Sequence, residues 1–150
     1  MMCEKKWSLP ANREIDMSTL RQKVGSGVSW ERDYGYSRAV RVGAAIHVSG
    51  TTATGPEGVV APGDAAGQTR FILDKIEAAI SELGGCLEDV VRTRVYVQRI
   101  EDWRVVASVH GERFGHIQPA NTLVEARLVG DEYLVEIEAE AVVGSAEGGD

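Results

Sequence analysis

Tyr133-Leu134-Val135-Glu136-Ile137-Glu138-Ala139 is the stretch that decides the fold, because its acidic and apolar residues alternate. A strand places successive side chains on opposite faces, so Glu136, Glu138 and the following Glu140 are predicted to form one row. Like charges in a row repel each other, and a strand keeps them where solvent, a basic partner strand or a ligand offsets the cost. The pattern therefore predicts a strand with one acidic and one apolar face.

Two further extended segments precede this strand in the sequence. Residues 118–125 come directly before it, and a turn at Gly130-Asp131 separates the two segments. Residues 90–97 also alternate and predict a strand. Its polar face is predicted to carry Arg92, Arg94, Tyr96 and Gln98, and its apolar face Val91, Thr93, Val95 and Val97.

Two helices are predicted between the strands. Asp64 is a good N-cap after a Pro-Gly pair, and Gly84-Gly85 ends the helix that it starts. A second helix begins at Asp102 and ends at Gly115. The predicted apolar faces carry Ile72, Ile76, Ala79, Ile80 and Leu83 in the first helix, and Trp103, Val106, Ala107, His110 and Phe114 in the second.

The remaining segments complete the predicted architecture. Residues 28–36 predict a short strand and turn, and residues 40–49 predict a central strand. Helices separated by strands predict an α/β (α+β) fold, in which a mixed β-sheet carries two helices packed on one face. We interpret residues 1–28 as a polar N-terminal extension and residues 145–150 as a polar tail.

The other face of this sheet is predicted to mix charged and apolar side chains. Arg92 and Arg94 lie on it beside Glu136 and Glu138, together with Tyr96. A half-polar face with complementary charges is typical of a subunit interface. We therefore expect an oligomer whose sheets face each other; the alternative is a monomer with a solvated sheet face.

Bulk composition excludes some classes of function. The chain has 150 residues, a net charge of −7 and a pI of about 5, which opposes a general binder of nucleic acid. No apolar run approaches a membrane span, so no membrane partner is expected. The two cysteines, Cys3 and Cys86, show no CxxC or metal spacing, so no disulfide framework is expected and a cytoplasmic location is predicted.

A set of motifs in a fixed order resembles the RidA family, also called YjgF or L-PSP endoribonuclease-like. They are Gly35-Tyr36-Ser37-Arg38-Ala39-Val40, Ile46-His47-Val48-Ser49-Gly50, residues 68–84, residues 87–97, Pro119-Ala120 and Val135-Glu136-Ile137-Glu138-Ala139. The resemblance covers about residues 30–143, and we assign residues 29–144 to a RidA-like domain.

The resemblance implies a chorismate-mutase-like fold, assembled as a homotrimer whose sheets form a central barrel. It also implies small-molecule clefts between subunits. Well-known members hydrolyse reactive enamines and imines without metal or cofactor. In those members an arginine after Pro-Ala holds the substrate carboxylate, and a glutamate in the last strand helps to position water.

This chain keeps the glutamate, as Glu136, and departs from the pattern elsewhere. Asn121 replaces the arginine, and Leu123 replaces a cysteine found in many members. Thr51 stands where a glutamine is usual, and Ala107 where an asparagine is common. An asparagine lacks the charge and the bidentate fork of an arginine, so carboxylates should be held more weakly unless another cation enters the cleft.

The resemblance and the residue types together define the candidate site. Glu136 and Asn121 are the predicted catalytic residues. The predicted substrate-binding residues are Tyr36, Arg38, Ser49, Thr51, Leu123 and Arg94. Arg38, Arg94 and Arg127 are candidates for the missing cation. The alternative for Arg94 and Arg127 is surface or interface pairing with the glutamate row. The three histidines are scattered without ligand spacing, so no metal is expected.

Two functions follow from these residues. One is a cofactor-free hydrolase or deaminase of imine- or enamine-like metabolites. The alternative is a non-catalytic trimer that binds a small molecule and regulates by binding. Retention of Glu136 favours the first, and loss of the cationic anchor at position 121 favours the second. The family's older ribonuclease name is a weaker option, because the acidic balance opposes RNA binding.

Overall fold

A six-stranded sheet organises the protein, whose computed structural model describes residues 20–147. The strands are β1 (Arg21–Val24), β2 (Ala39–Val42), β3 (Ala45–Thr51), β4 (Thr54–Gly55), β5 (Gly58–Val59), β6 (Val90–Val97), β7 (Ala120–Glu125) and β8 (Val135–Val142). The helices are α1 (Ser29–Tyr34), α2 (Ala65–Glu82) and α3 (Trp103–Phe114).

The acidic strand β8 lies near the middle of this sheet. The strand order is β1-β2-β3-β8-β6-β7, and β4 and β5 form a separate small hairpin. Strands β6 and β7 are parallel, whereas the other neighbours in the large sheet are antiparallel. The sheet is therefore mixed, as the sequence predicts, and β7 is one of its two edges.

Helices α2 and α3 pack against one face of the sheet, which confirms the predicted layers. The core between the layers is apolar, and its largest fully buried side chains include Ile46, Ile72, Ile76, Phe114 and Ile137. Every second residue of β8 from Val135 to Ala141 is buried in this core. The intervening glutamates face away from the helices and keep partial contact with solvent.

The sequence signals for helix α2 act as predicted. The Asp64 side chain accepts a hydrogen bond from the backbone N–H of Gly67 at 2.9 Å, which satisfies one of the free amides at the helix start. Gly84 follows the helix with φ of +87°, a left-handed conformation that glycine adopts without steric cost.

The N-terminal segments differ from the prediction. Residues 40–49 are not one strand, because Gly43 at φ of +59° turns the chain and separates β2 from β3. Residues 29–34 form the short helix α1, which ends at Gly35, where the prediction was a strand and turn. A segment of six residues is too short for its side-chain pattern to distinguish a strand from a short helix.

Two predicted apolar faces also need correction. Val91 is 40% exposed and Val90 3% exposed, because a register shift between Val90 and Arg92 moves the start of β6 by one residue. In α3, Trp103 is 42% exposed and Val109 is 2% exposed, so Val109 replaces Trp103 in the core.

Residues 1–19 and 148–150 lie outside the described part of the chain, so most of the predicted extension and half of the predicted tail do too. Residues 21–24 of that extension form β1, which pairs with β2. Cys86 is disulfide-bonded, against the expectation from the sequence, so the cysteines no longer support a reducing compartment. Among residues 20–147, no helix combines the length and apolarity needed to span a membrane.

Candidate functional site

The predicted row of glutamates is present on the face of the sheet opposite the helices. In the antiparallel register between β6 and β8, Tyr96 lies opposite Glu136 and Arg94 opposite Glu138. Arg94 Nη1 lies 3.4 Å from Glu138 Oε1 and 3.2 Å from Glu140 Oε1. Hydrogen bonding to Glu140 raises the pKa of Arg94. The arginine thus offsets repulsion within the row of glutamates. This pairing is the alternative role predicted for Arg94 from the sequence.

Glu136 is the first glutamate of the row, and it lies near the end of strand β3 that carries Gly50. Burial raises the pKa of its carboxyl, the nearby Arg38 opposes that rise, and Glu138 adds to it. A bulge between Val48 and Thr51 brings the backbone of Gly50 against the carboxylate. A Cβ at position 50 would meet Glu136 Oε1 at 2.6 Å, so any larger residue there would displace the carboxylate from this position.

Arg38 completes the surroundings of Glu136. Its Nη2 donates a hydrogen bond to the backbone oxygen of Gly50, while its buried Nε has no hydrogen-bond partner within residues 20–147. Burial lowers the pKa of Arg38, and the charges of Tyr36, Glu31 and Glu136 act in the opposite direction. The guanidinium is therefore close to two carboxylates of its own chain.

Ser49 and Tyr36 lie close to this pair in the fold, whereas Thr51 pairs in register with the core residue Ile137 and is 1% exposed, so its side chain is on the helix side of the sheet. Ser49 Oγ donates to the backbone oxygen of Ser37 at 2.6 Å, and Thr51 Oγ1 donates to that of Ser49 at 2.8 Å. These two bonds hold the bulge that carries Gly50. Tyr36 is 39% exposed. We call Tyr36, Arg38, Ser49 and Glu136 the Glu136 cluster.

Sequence reasoning missed two charged neighbours of this cluster. Glu31 is 8% exposed and accepts a hydrogen bond from the backbone N–H of Ser26 at 2.9 Å. Lys75 Nζ donates to the backbone oxygens of Thr52 and Thr54 at 3.3 and 3.0 Å. Burial lowers the pKa of Lys75, and the charge of Arg38 lowers it further. The sequence signal that could have identified Lys75 is its position next to Ile76, at the border of the apolar face of α2.

Asn121 and Leu123 lie elsewhere, in a cavity between α3 and the strands β6 and β7. The cavity has a volume of about 250 Å³. Its lining residues are Val95, Val106, Ala107, His110, Asn121 and Leu123. We call it the Asn121 cavity. Its size is slightly below the roughly 300–1,000 Å³ of pockets for drug-sized ligands, so it suits a small metabolite.

Hydrogen bonds join two lining residues of the cavity through the buried side chain of Thr93. Asn121 Nδ2 donates to Thr93 Oγ1 at 2.9 Å, and Thr93 Oγ1 lies 2.8 Å from His110 Nε2. Thr93 is fully buried, and its hydroxyl has one hydrogen. Within residues 20–147 this hydroxyl has no acceptor other than His110, so we assign Thr93 as the donor to His110 Nε2, which requires the tautomer with the proton on Nδ1. Burial lowers the pKa of His110, which favours the neutral ring.

One chain does not bring all the predicted site residues together. Asn121 pairs in register with Thr93, whose side chain faces the helices. Glu136 pairs with Tyr96, whose hydroxyl donates to Glu138 on the opposite face. The Asn121 cavity and the Glu136 cluster are therefore on opposite sides of the sheet, and Arg94 is on the side of Glu136.

Comparisons with known proteins agree with this architecture. The family model described as Endoribonuclease L-PSP matches residues 31–143. A RutC family protein of Pyrococcus abyssi is 36% identical over 105 residues, which cover 69% of this chain and 83% of that protein. An uncharacterized protein of Streptomyces coelicolor is 34% identical over 127 residues, which cover 84% and 95% respectively.

Solved structures give the same result. The crystal structure of a YjgF/YER057c/UK114 family member from Mycobacterium tuberculosis is 47% identical to this chain, with a TM-score of 0.74. The similarity covers 82% of this chain and 99% of that one. The fold is thus that of the YjgF proteins, the chorismate-mutase-like fold that the motifs imply. The chain belongs to the endoribonuclease L-PSP family, known also as RidA or YjgF.

Proposed function

We propose that the protein is a homotrimer that hydrolyses small imine- or enamine-like metabolites in clefts between its subunits, without metal or cofactor. The observation that carries the proposal is the division of the candidate residues between two faces of one sheet. Glu136 and Asn121 share a cleft only when the Glu136 cluster of one subunit faces the Asn121 cavity of the next.

The edge position of β7 supports this arrangement. An edge strand has unpaired backbone groups on one side and is open to a neighbouring chain. The Asn121 cavity lies beside this edge, within reach of a second copy. The outer sheet face adds Val42, Val124 and Val142, which are 39–47% exposed in the single chain. Three such faces closed around a common axis form the central barrel of the proposed trimer.

Glu136 is the proposed base of the reaction. It accepts a proton from water, whose oxygen adds to the C=N carbon of the substrate. The C=N π electrons move to nitrogen, which takes up this proton from Glu136. A second proton passes from the added hydroxyl group to nitrogen as the C–N bond breaks and the C=O bond forms, so the products are a carbonyl compound and ammonia. A carboxyl with a raised pKa is a better proton acceptor near neutrality than an ordinary glutamate, once it is ionised.

The assay is ammonia release from 2-imino acids generated by an amino-acid oxidase, with an active family member as positive control. We expect acceleration over buffer, and its loss in Glu136→Gln. The matched control is Glu140→Gln, which changes a glutamate on the same strand and face. Equal rates for the wild-type protein and buffer would exclude deamination of these substrates. A light-scattering mass of one chain would exclude the shared cleft.

A non-catalytic binding trimer is the second candidate function. It is supported by the lack of a cation among the residues that line the Asn121 cavity and by the carboxylates around Arg38. A binder is stabilised by its ligand through mass action and does not consume it. A metabolite screen by thermal shift tests this, and a screen without any stabilising compound would count against it.

A further inference from the structure

The walls of the Asn121 cavity are uncharged. Four of the six lining residues are apolar: Val95, Val106, Ala107 and Leu123. The other two are Asn121 and His110, and burial lowers the pKa of His110 so that the neutral ring is favoured. A carboxylate that binds against these walls loses part of its hydration and gains no opposite charge in return. This loss of hydration costs free energy.

The cation of the Glu136 cluster is already close to anionic groups. Arg38 belongs to the Glu136 cluster, and Glu31 and Glu136 both favour its charged form. Its Nη2 donates to the Gly50 backbone. Even when a neighbouring subunit brings this cluster to the cavity, the arginine arrives together with Glu136. The pair adds little net positive charge for a substrate carboxylate.

Asn121 itself presents an amide to the cavity. One of its N–H groups is used in the bond to Thr93. The second N–H and the Oδ1 oxygen have no hydrogen-bond partner within residues 20–147. A donor and an acceptor on one planar group match a ligand that has a carbonyl oxygen beside an N–H. Thr93 and His110 fix the orientation of this amide.

We propose that the Asn121 cavity takes a small uncharged amide, such as the carboxamide counterpart of a 2-imino acid or a lactam, and discriminates against carboxylates. Asn121 is the specificity-determining residue, and Thr93 and His110 are positioning residues. This inference rests on the proposed use of the cavity as a ligand site. It does not require that the protein catalyse a reaction.

The test is binding of a matched pair, 2-oxobutyramide and 2-oxobutyrate, measured by calorimetry on the full-length protein. These stable carbonyl compounds replace the reactive imines. They differ only in that the first carries an amide group where the second carries a carboxylate. We expect the amide to bind about tenfold more tightly, the ratio that corresponds to roughly 1.4 kcal/mol. Asn121→Arg should reverse the preference, and Asn121→Leu should weaken binding of the amide.

Each outcome decides the proposal. Equal or tighter binding of the carboxylate by the wild-type protein would overturn it, and so would failure of both compounds to bind at millimolar concentration. Because binding is measured without turnover, an amide preference in an inactive protein supports this inference and removes only the deaminase. Thermal unfolding and light scattering on each variant show whether it folds and assembles as the wild-type protein does.

The positioning residues have a spectroscopic test. In ¹⁵N-histidine spectra, His110 should show the tautomer with the proton on Nδ1, because Thr93 donates to Nε2. Thr93→Val should remove this fixed tautomer and reduce the amide preference, whereas Thr93→Ser should retain both. A protonated Nε2 in the wild-type protein would contradict the assigned direction of the polar chain.

Discussion

The two faces of the sheet hold polar groups in opposite ways. On the outer face, the carboxylates of Glu138 and Glu140 remain partly solvated and pair with Arg94. On the inner face, Asn121, Thr93 and His110 form an uncharged chain of hydrogen bonds. Charge is retained on the partly solvated face, and neutral donors and acceptors surround the buried hydroxyl of Thr93.

The largest expected effect on stability comes from the packing beside the uncharged hydrogen-bond chain of Asn121, Thr93 and His110. Phe114 is 2% exposed, and its ring centroid lies 4.5 Å from that of His110. Phe114→Ala should lower the free energy of unfolding by about 3–5 kcal/mol, because it removes a large buried ring and leaves a cavity. Chemical denaturation at one fixed protein concentration measures this.

The control for this change is Val105→Ala on the same helix, where the side chain is 41% exposed. Its effect should be well below that of Phe114→Ala. Similar losses in the two variants would mean that α3 is not anchored through Phe114.

The next effect comes from the buried hydroxyl in the polar chain. Thr93→Val keeps the shape and leaves His110 Nε2 and one Asn121 N–H without their partner. We expect a loss of about 1–3 kcal/mol in the free energy of unfolding. Thr122→Val, on the exposed edge strand, is the control and should change stability little.

A double-mutant cycle sharpens this prediction. Thr93→Val and His110→Phe together should cost less than the sum of the two single changes, because the first change already removes the bond between the residues. Additive losses would show that the 2.8 Å contact contributes no coupling.

His110 on the inner face and Glu136 on the outer face should change the free energy of unfolding with pH in opposite directions. Burial lowers the pKa of His110 from 6.5, so the unfolded chain binds more protons and stability is lost as pH falls below 6.5. Burial raises the pKa of Glu136 from 4.5, so the folded chain binds more protons and stability is lost as pH rises from 4.5 through the raised value.

Variants that do not titrate separate the two contributions. His110→Gln should flatten the dependence of unfolding free energy on pH below 6.5, and Glu136→Gln should flatten it above 4.5. His116→Gln and Glu140→Gln are the respective controls. Slopes of the same sign for the two sites would contradict the assigned burial of one of them.

The smallest effect on the folded chain is expected for Arg94→Met on the outer face. The ion pairs of Arg94 with Glu138 and Glu140 are partly exposed to solvent, so they contribute little to the stability of one chain. Glutamates without this cation should repel each other more strongly where copies meet. We expect unchanged denaturation of the chain and weaker assembly at low salt, measured by light scattering at increasing salt.

Much of the fold could be predicted from local pattern. The alternation in β8, the Asp64 cap and the apolar spacing of α2 are each decided by residues close together in the sequence, and the structure confirms them. The hairpin at Gly43, helix α1 and the shifted start of β6 were missed. In each case the local sequence fits two conformations equally well, and packing against distant residues selects one.

The candidate site divides in the same way. The motifs indicated Glu136, Asn121 and Arg38, but they could not show that Glu31 and Lys75 lie near Arg38, because residues 31, 38 and 75 are brought together only by the folded chain. Likewise, no sequence motif indicated that Thr93 and His110 belong to the site. Their link to Asn121 arises because β7 lies parallel to β6 under helix α3.

The sequence by itself determined the mixed sheet with its two helices, the acidic row and the substitution of Asn121 for an arginine. These follow from periodicity and from residue type, which need no knowledge of distant contacts. Only the tertiary structure decided that Asn121 and Glu136 lie on opposite sides of the sheet and that burial favours the neutral form of His110. Solvation and the distances between charges depend on segments far apart in the chain, so no local pattern contains them.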